Sequence, residues 1–308
     1  MQIRIAQTED GMTVRAFLAS RLSLSTKMLK YLKYRPDGIC VDGVRVTVRH
    51  ILRAGEILTL AIADGESSEK IAAVPLELPI LYEDDDLVVP SKPPRMPTHP
   101  SHDHFRDTVA NALAYRYREQ GIPFVFRPVN RLDRDTSGLL LIARNKLAAG
   151  RLTAAMQSGD IHKTYIAVLE GENIPNEGII EKPLRRSAQS IIVREVCDAS
   201  DAGAEPSVTR YRVLARGGGC SLVMARPLTG RTHQLRVHFA SIGHPIVGDD
   251  LYGIPNGRLS RQALHAYSLS FPHPSTGETV TLFSPLPPDM EQLVSDLFPT
   301  EIQIPESF

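Results

Sequence analysis

The spacing of hydrophobic residues predicts two helices and a small sheet in the first sixty residues. Apolar side chains recur at helical intervals at Val14, Phe17, Leu18 and Leu22. A second helix, capped by Ser25 or Thr26, should follow. Its apolar side holds Met28, Leu29 and Leu32, and its polar side holds Lys27, Lys30 and Lys33. "GICVDGVRV" then alternates as a hairpin that turns at Asp42 and Gly43, and "EILTLAI" is typical of a closing strand. Together these elements predict a compact module at residues 1–63.

Residues 64–79 are polar and then rich in proline, as in a linker, and a longer unit is expected at residues 80–308. A turn at Asp84 to Asp86 indicates a hairpin. Helices are expected in "DTVANALAYRYREQG", "KLAAGRLTAAMQSGDI" and "HQLRVHFASIG", and strands in "KTYIAVLEG", "VTRYRVLAR" and "CSLVMARPL". "RRSAQSIIVREVCDASDAGAEPS" is expected to form a strand pair with a mobile acidic loop. Because helices and strands are mixed without strict alternation, we predict an α+β fold with a mixed, largely antiparallel sheet.

Composition narrows the class of protein. The chain of 308 residues is 42% hydrophobic and 23% charged, as in ordinary globular enzymes, and is long enough for a small core beside a larger one. Three cysteines, Cys40, Cys197 and Cys220, lie far apart, which argues against a disulfide framework or a thiolate zinc site. No apolar run approaches the ~20 residues of a membrane span. We therefore expect a soluble, cytoplasmic monomer.

The charge is zoned along the chain. The formal net charge is +0, which at first weakens a nucleic-acid interpretation. However, residues 1–60 carry a net charge of +5, residues 61–110 a net charge of −6, and residues 127–151 a net charge of +4. A neutral protein can thus present a basic face. The positive zone coincides with the predicted N-terminal module, which favours RNA contact. A solvated lysine-bearing helix without a partner is the alternative.

In "RPVNRLDRDTSGLLLIARN", charged residues stand directly before an apolar run. Leu139 to Ala143 is predicted to be a short buried strand. Asp133 to Ser137 would then lie on a loop at its end, a common place for catalytic groups. Because Asp133 is flanked by Arg131 and Arg134, nearby positive charge would keep its carboxylate ionised. It could be a nucleophile or an anchor, or could merely cap a turn or pair with an arginine.

A second concentration of charge lies in "RPLTGRTHQLRVHFASIGHPIVGDDLYG". Thr229 and Gly230 should form a tight entry to a helix starting near Thr232, whose free amides favour an anion such as phosphate. Arg236 on that helix could reach a carboxylate. The same cluster contains Arg226, Arg231, His233 and His238.

Metal binding is the competing interpretation of these histidines. A spacing of five residues does not put His233 and His238 on a common helix face, and no His-Glu-x-x-His motif occurs. "THPSHDHF" offers the same choice between a metal site and a plain surface turn, at His99, His102 and His104.

Several of these motifs together resemble a known family. "RLDRDTSGLLLIAR", "KTYIAVLEG", "TGRTHQLRVHFASIGHPIVGDDLYG" and "RQALHAYSLSFPHPSTGE" look like successive signatures of the RluA family of RNA pseudouridine synthases. "EDDDLVVPSKPPRMPTHP" is similar to the opening strand of that family and its Lys-Pro and His-Pro loop. The resemblance covers about residues 80 to 295. Residues 10 to 62 resemble, more loosely, the small alpha-L RNA-binding domain.

This resemblance implies that uridine in RNA is converted to pseudouridine without cofactor or metal. Asp133 would be the catalytic aspartate, acting on the sugar as a nucleophile at the anomeric carbon or as a base toward the 2′ hydrogen. Tyr165 would stack on the uracil and help to move the proton of carbon 5. Arg236 would pair with Asp133, and Val237 would line the base pocket. Arg131 would occupy the space left by the flipped nucleotide.

Other motif positions carry smaller expectations. Arg231, His233 and Gln234 are expected to contact the substrate, and Thr136, Ser137 and Gly138 to shape the loop. Asn130 departs from the family pattern, in which a histidine is common, and its substitution leaves the role of this position open. The partner expected is ribosomal or transfer RNA.

Two alternatives belong to other classes of protein. One is a non-catalytic RNA-binding protein with the same fold, against which the intact set Asp133, Tyr165 and Arg236 speaks. The other is a hydrolase that cleaves nucleosides, for which the expected pair of acid and base is not evident.

Overall fold

The N-terminal part of the chain forms a small antiparallel sheet with two helices. The computed structural model describes residues 1–22, 24, 26–62, 68, 71–254, 257–298, 302–306 and 308, with the side chain of Lys27 left out. The elements in this part are β1 (Gln2–Arg4), α1 (Val14–Ser20), α2 (Thr26–Tyr34), β2 (Ile39–Val41), β3 (Val44–Arg45) and β4 (Ile57–Leu60). Among the described residues the strand order is β1-β4-β2-β3.

Local signals account for these elements. The hydroxyl of Thr13 accepts a hydrogen bond from the amide of Ala16 and caps α1. The turn between β2 and β3 places Asp42 and Gly43 at φ 47° and 81°, the left-handed pair that a tight hairpin requires. The predicted apolar positions of α1 and α2 pack into one core, which also contains Leu22 beyond the end of α1. Ser25, one of the two expected caps of α2, lies outside the described residues, and α2 begins at Thr26.

The larger part of the chain contains twelve strands and four helices within the described residues. The strands are β5 (Ile80–Glu83), β6 (Leu87–Lys92), β7 (Ser137–Leu139), β8 (Ile142–Ala143), β9 (His162–Glu170), β10 (Glu177–Glu181), β11 (Leu184–Arg186), β12 (Arg194–Val196), β13 (Val208–Gly217), β14 (Cys220–Pro227), β15 (Leu264–Pro272) and β16 (Thr279–Phe283). The helices are α3 (Val109–Glu119), α4 (Lys146–Ser158), α5 (Gln234–Ala240) and α6 (Pro288–Leu297).

Most of these strands join one sheet. In the described part of the chain its order is β10-β13-β14-β9-β15-β7-β6-β5, with β16 beside β15 and β8 beside β6. β15 and β7 run parallel, and the other described strand pairs are antiparallel. β11 and β12 form a separate hairpin, as predicted for that segment. The predicted α+β class with a largely antiparallel sheet is therefore confirmed.

The sheet separates two apolar cores, because alternate residues of a strand face opposite sides. On β6, Val88 joins the core that contains the apolar sides of α3, α5 and α6. Its neighbours Leu87 and Val89 join the core under α4. β15 contributes residues to both cores, and β9 packs in the first of them, and both strands carry residues that line the cleft described below.

The predicted strand from Leu139 to Ala143 is broken in the structure. β7 ends at Leu139 and β8 begins at Ile142, so the expected strand is wrong at its centre. β7 also begins earlier, at Ser137, and includes Gly138. There, φ is 108° and a Cβ atom would lie 2.2 Å from the carbonyl oxygen of Ala266, so the parallel neighbour β15 requires glycine. Gly138 is thus a position of close strand approach and not a loop residue.

The small N-terminal part lies against the larger one. The guanidinium of Arg151 on α4 donates to the carbonyl of Leu22 at 2.9 and 3.1 Å. Residues 71–79, in the second half of the predicted linker, run along the larger part, where Asn111 donates to the carbonyl of Ala72. Residues 63–67 and 69–70 of that segment lie outside the described residues. Within the described ranges, none of the helices combines the length and the apolar character needed to cross a bilayer.

Candidate active site

A cleft of about 660 Å³ lies where three segments of the larger part meet. The first is the loop that precedes β7, the second is the start of β9, and the third leads from β14 into α5. Their cleft-lining residues include Asp133, Tyr165 and Arg236, which the sequence singled out from three distant motifs. The fold therefore brings these three residues to one cavity.

The loop that carries Asp133 is fixed by buried groups. Thr98 donates from its hydroxyl to the carbonyl of Leu132 at 2.9 Å. Lys92, fully buried at the end of β6, donates to the carbonyl of Arg134 at 2.8 Å. Thr136 closes the turn, since its amide donates to the carbonyl of Asp133 at 3.1 Å. Asp133 itself is 28% exposed, so a rigid loop presents an accessible carboxylate.

The cation beside Asp133 is Arg236. Its Nη1 atom lies 3.6 Å from Oδ2 of Asp133, and Nε2 of His233 lies 3.9 Å from the same oxygen. Arg134 was expected to hold Asp133 ionised, but it pairs with Asp135 through both its Nε and Nη2 atoms. In this turn the side chain of Arg134 is therefore directed to Asp135, and Arg236, which the family resemblance indicated, is the arginine at ion-pair distance from Asp133.

Arg236 is oriented by a buried carboxylate that the sequence analysis missed. Its Nε and Nη2 atoms each donate to Asp249 at 2.7 Å, and both side chains are almost wholly buried. Although burial opposes the charged form, the hydrogen bonds to Asp249 raise the pKa of Arg236. Its third nitrogen, Nη1, is left to face Asp133. Asp249 stands in the quoted "GDDLYG", but no local pattern marked it as a partner.

Tyr165 lies on β9, in the interior of the cleft wall. Burial, and to a smaller extent the negative charge of Asp133, raises the pKa of Tyr165, so its phenol is protonated at neutral pH. Lys163, two residues earlier on the same face of the strand, also lines the cleft, and burial lowers its pKa. Among the described residues, Lys163 has no carboxylate partner. It is a cleft cation that the sequence analysis did not select.

Comparison with known proteins identifies the family of the chain. The family described as "RNA pseudouridylate synthase" matches residues 86–241. The chain belongs to the RluA family of RNA pseudouridine synthases. It is therefore an isomerase that acts on uridine in RNA.

Individual relatives cover most of the synthase. It is 36% identical to the "Uncharacterized RNA pseudouridine synthase YjbO" of Bacillus subtilis, over 92% of this chain and 98% of the relative. It is 36% identical to the "Ribosomal large subunit pseudouridine synthase D" of Vibrio cholerae, over 83% of this chain and 82% of the relative. Among solved structures, "Human RNA Pseudouridylate Synthase Domain Containing 1" shares 33% identity and a TM-score of 0.58, over 70% of this chain and 87% of that chain.

The other residues that were predicted to contact the substrate differ in their exposure and in whether they line the cleft. Arg131 and Arg231 line the cleft with exposed or half-exposed side chains, and Arg231 also pairs with Glu205 at 3.3 Å. Val237 is buried but is not among the cleft-lining residues, whereas Leu235 on the same helix is. Leu235 therefore gives the cleft an apolar lining residue on this helix, and the role of Val237 stays a prediction.

Gln234 is held by the protein on all sides. Its carbonyl oxygen accepts from Thr229 and from the amide of Arg231, and its amide nitrogen donates to Val208 and Thr209. These four bonds use the whole hydrogen-bonding capacity of the side chain, although Gln234 also lines the cleft, so the expected substrate contact stays a prediction. The residue fixes the segment that enters α5. That helix begins at Gln234, two residues later than expected, after His233 at φ 57°.

The histidines that were considered as metal ligands have different hydrogen-bond partners in different parts of the structure. His238 is buried and bonds Thr209 and the carbonyl of Lys182, away from His233. His102 and His104 pair with different aspartates, Asp103 and Asp107. No group of three or more histidine, cysteine or acidic residues in the described part of the chain could hold a metal ion.

Proposed function

We propose that the synthase converts specific uridines of ribosomal or transfer RNA to pseudouridine, with Asp133 as the catalytic carboxylate. The observation that carries the proposal is the accessible carboxylate of Asp133 in the cleft, 3.6 Å from a buried arginine whose other nitrogens are occupied by Asp249. An oriented carboxylate facing a sugar carbon suits a reaction with oxocarbenium character.

In the proposed reaction, the bond between N1 of uracil and C1′ of ribose breaks while Asp133 acts on the sugar. The uracil turns within the cleft, and a bond forms between its carbon 5 and C1′. Carbon 5 then loses its proton to the solvent and N1 takes up a proton, so that the product is an isomer of the substrate. Asp133 acts either as nucleophile at C1′ or as base toward the 2′ hydrogen.

Three neighbours would assist this step. The ring of Tyr165, whose hydroxyl stays protonated, would stack on the uracil, and Tyr165 would help to move the proton of carbon 5. Arg236 keeps Asp133 aimed. Arg131, an exposed residue of the cleft lining, would fill the gap in the RNA after the nucleotide is flipped out, a step that needs only a few kcal/mol.

Affinity for RNA would come from basic groups in both parts of the chain. Lys163 in the cleft lacks a carboxylate partner among the described residues and would be matched by a phosphate of the RNA. Residues 1–63 would act as an alpha-L-like RNA-binding domain, with the exposed Lys30 and Lys33 on α2 as phosphate contacts. Several relatives are called ribosomal large subunit pseudouridine synthases, which favours ribosomal RNA as the substrate, acted on in the cytoplasm.

The decisive experiment is tritium release from carbon 5 of labelled uridine in bulk cellular RNA. The intact chain should release tritium, and Asp133→Ala and Asp133→Asn should not. Asp103→Asn is a matched control, because Asp103 is 81% exposed and its left-handed φ of 66° suits asparagine equally well. If the intact chain is inactive on both ribosomal and transfer RNA, the proposal is wrong. Free uracil as the product would instead indicate a hydrolase.

The role of the N-terminal lysines has its own test. Neutralising both in the full chain, as Lys30→Gln with Lys33→Gln, should flatten the dependence of log Kd on log salt concentration by about 1.4 to 1.8. Arg118→Gln on α3 removes one exposed charge elsewhere and is the control. An unchanged slope in the double variant would show that the lysines of α2 are solvated and do not contact RNA phosphates.

A further inference from the structure

A tyrosine outside the predicted site connects directly to the histidine beside Asp133. The hydroxyl of Tyr252 lies 2.8 Å from Nδ1 of His233 and 2.8 Å from the backbone nitrogen of Arg194 on β12. The opposite ring nitrogen of His233, Nε2, lies 3.9 Å from Oδ2 of Asp133. The chain of groups therefore runs from the β11–β12 hairpin to the catalytic carboxylate.

The direction of the hydrogen bonds follows from the protons available. The backbone N–H of Arg194 can only donate, so the oxygen of Tyr252 accepts from it. The single phenolic proton of Tyr252 then needs an acceptor, and within the described residues Nδ1 of His233 is the one at hydrogen-bond distance. If Nδ1 accepts, the proton of a neutral imidazole sits on Nε2. That proton faces a carboxylate, which can only accept, so both ends of the ring favour the same tautomer.

The ring of Tyr252 is itself held in place. It packs edge-on against His233 with centroids 5.7 Å apart, and the guanidinium carbon of Arg236 lies 5.2 Å from its centroid. Its backbone amide donates to Asp249 at 3.0 Å, the same carboxylate that orients Arg236. Burial lowers the pKa of His233, which keeps the imidazole neutral at neutral pH.

We propose that Tyr252 is a positioning residue that holds His233 in the Nε2–H tautomer, so that His233 presents a hydrogen-bond donor toward Asp133. The inference rests on the proposed function of Asp133. Asp133 would then be aimed from two sides, by Nη1 of Arg236 and by Nε2–H of His233. A shift of less than 1 Å in either residue would turn the 3.9 Å approach into a hydrogen bond when RNA fills the cleft.

The tautomer can be measured without any activity. Long-range ¹⁵N–¹H correlation spectra of the free protein should show His233 with an unprotonated Nδ1 and a protonated Nε2, assigned by the loss of the signals in His233→Gln. In Tyr252→Phe the ring remains but the phenolic proton is gone, so the His233 signals should move toward a mixture of both tautomers. A wild-type His233 protonated on Nδ1, or a Tyr252→Phe spectrum identical to wild type, overturns the inference even if the enzyme is active.

Kinetics give the second readout. Tyr252→Phe should lower kcat about tenfold, as expected for one lost hydrogen bond of ordinary strength, with KM for RNA unchanged. Tyr82→Phe is the matched control, because its hydroxyl bonds Asp84 away from the cleft at 2.8 Å. Its kcat should equal that of wild type. Melting temperatures of both variants identify any loss of fold.

A double-mutant cycle separates positioning from support of the fold. Glutamine places a donor amide near the position of Nε2 and has no tautomers, so His233→Gln should keep part of the activity. In that background, Tyr252→Phe should cause little further loss of kcat. An undiminished tenfold loss in the double variant would overturn the proposal. An inactive wild-type chain would count against the proposed function, while the spectra still decide the tautomer.

Discussion

Replacing Lys92 by methionine should change how the stability of the protein depends on pH. Lys92 is fully buried at the end of β6, and Nζ donates to the carbonyls of Pro93 and Arg134 at 2.9 and 2.8 Å. Burial lowers the pKa of Lys92 from 10.5 to about 7. A neutral amine has two N–H groups, which match the two carbonyls, so deprotonation need not break either bond. Methionine has a similar length and shape but cannot donate or titrate.

The direction of this pH dependence follows from the pKa of Lys92 in the folded chain and its ordinary value in the unfolded chain. Between pH 7 and 10.5 the unfolded chain binds a proton at Lys92 that the folded chain does not, so the free energy of unfolding rises with pH in that window. Below pH 7 the burial penalty of the charged amine is fully present. From pH 7 to pH 9 the wild type should gain about 2 kcal/mol relative to Lys92→Met. The variant should also lower kcat, because the carbonyl of Arg134 loses the donor that fixes the Asp133 loop.

Urea unfolding followed by far-ultraviolet circular dichroism at pH 7, 8 and 9 measures this difference, and the chain contains no tryptophan to report by fluorescence. Lys33→Met, which removes an exposed lysine of α2, is the control. The difference in unfolding free energy between wild type and Lys92→Met should grow with pH. A constant difference across the three pH values would show that Lys92 keeps its proton in the folded state and would refute the reasoning.

Three further changes test the support of the site. Asp249→Asn should destabilise the fold by about 3 to 5 kcal/mol, because it leaves the buried Arg236 without its carboxylate, and urea unfolding measures this. Gly138→Ala should lower the melting temperature by several degrees, since its Cβ would lie 2.2 Å from the oxygen of Ala266; a stable variant would contradict the requirement for glycine. Lys163→Met should flatten the salt dependence of RNA binding by about 0.7 to 0.9 in log–log slope if Lys163 contacts a phosphate.

Sequence patterns predicted those helices and turns whose conformation is decided by residues close together in the chain. The hairpin at Asp42 and Gly43 needs two left-handed residues in sequence, and both are present. The helix Lys146–Ser158 has its cap at Asn145 and its stop at Gly159, both adjacent to it in the chain. In these places the interactions that decide the structure lie within a few residues of one another.

The interactions that hold the site in place join residues that are far apart in the sequence. Lys92 and the carbonyl of Arg134 are 42 residues apart, and Arg236 and Asp249 are 13 apart across a turn. The requirement for glycine at Gly138 depends on β15, which passes close to it. No periodicity or charge pattern contains these contacts. The resemblance to a family selected Asp133, Tyr165 and Arg236, but it did not show which carboxylate orients the arginine.

Asn130 shows what a departure from the family pattern means in this structure. Its side-chain oxygen accepts from the amide of Leu141 at 2.7 Å, and its nitrogen lies 3.4 Å from the carbonyl of Leu139. The residue is 8% exposed, and both polar atoms of its side chain bond the backbone on either side of the strand break. A residue here acts on the backbone that leads into the Asp133 loop. Asparagine at this position therefore supports the backbone beside the Asp133 loop and at the same time forms part of the cleft lining.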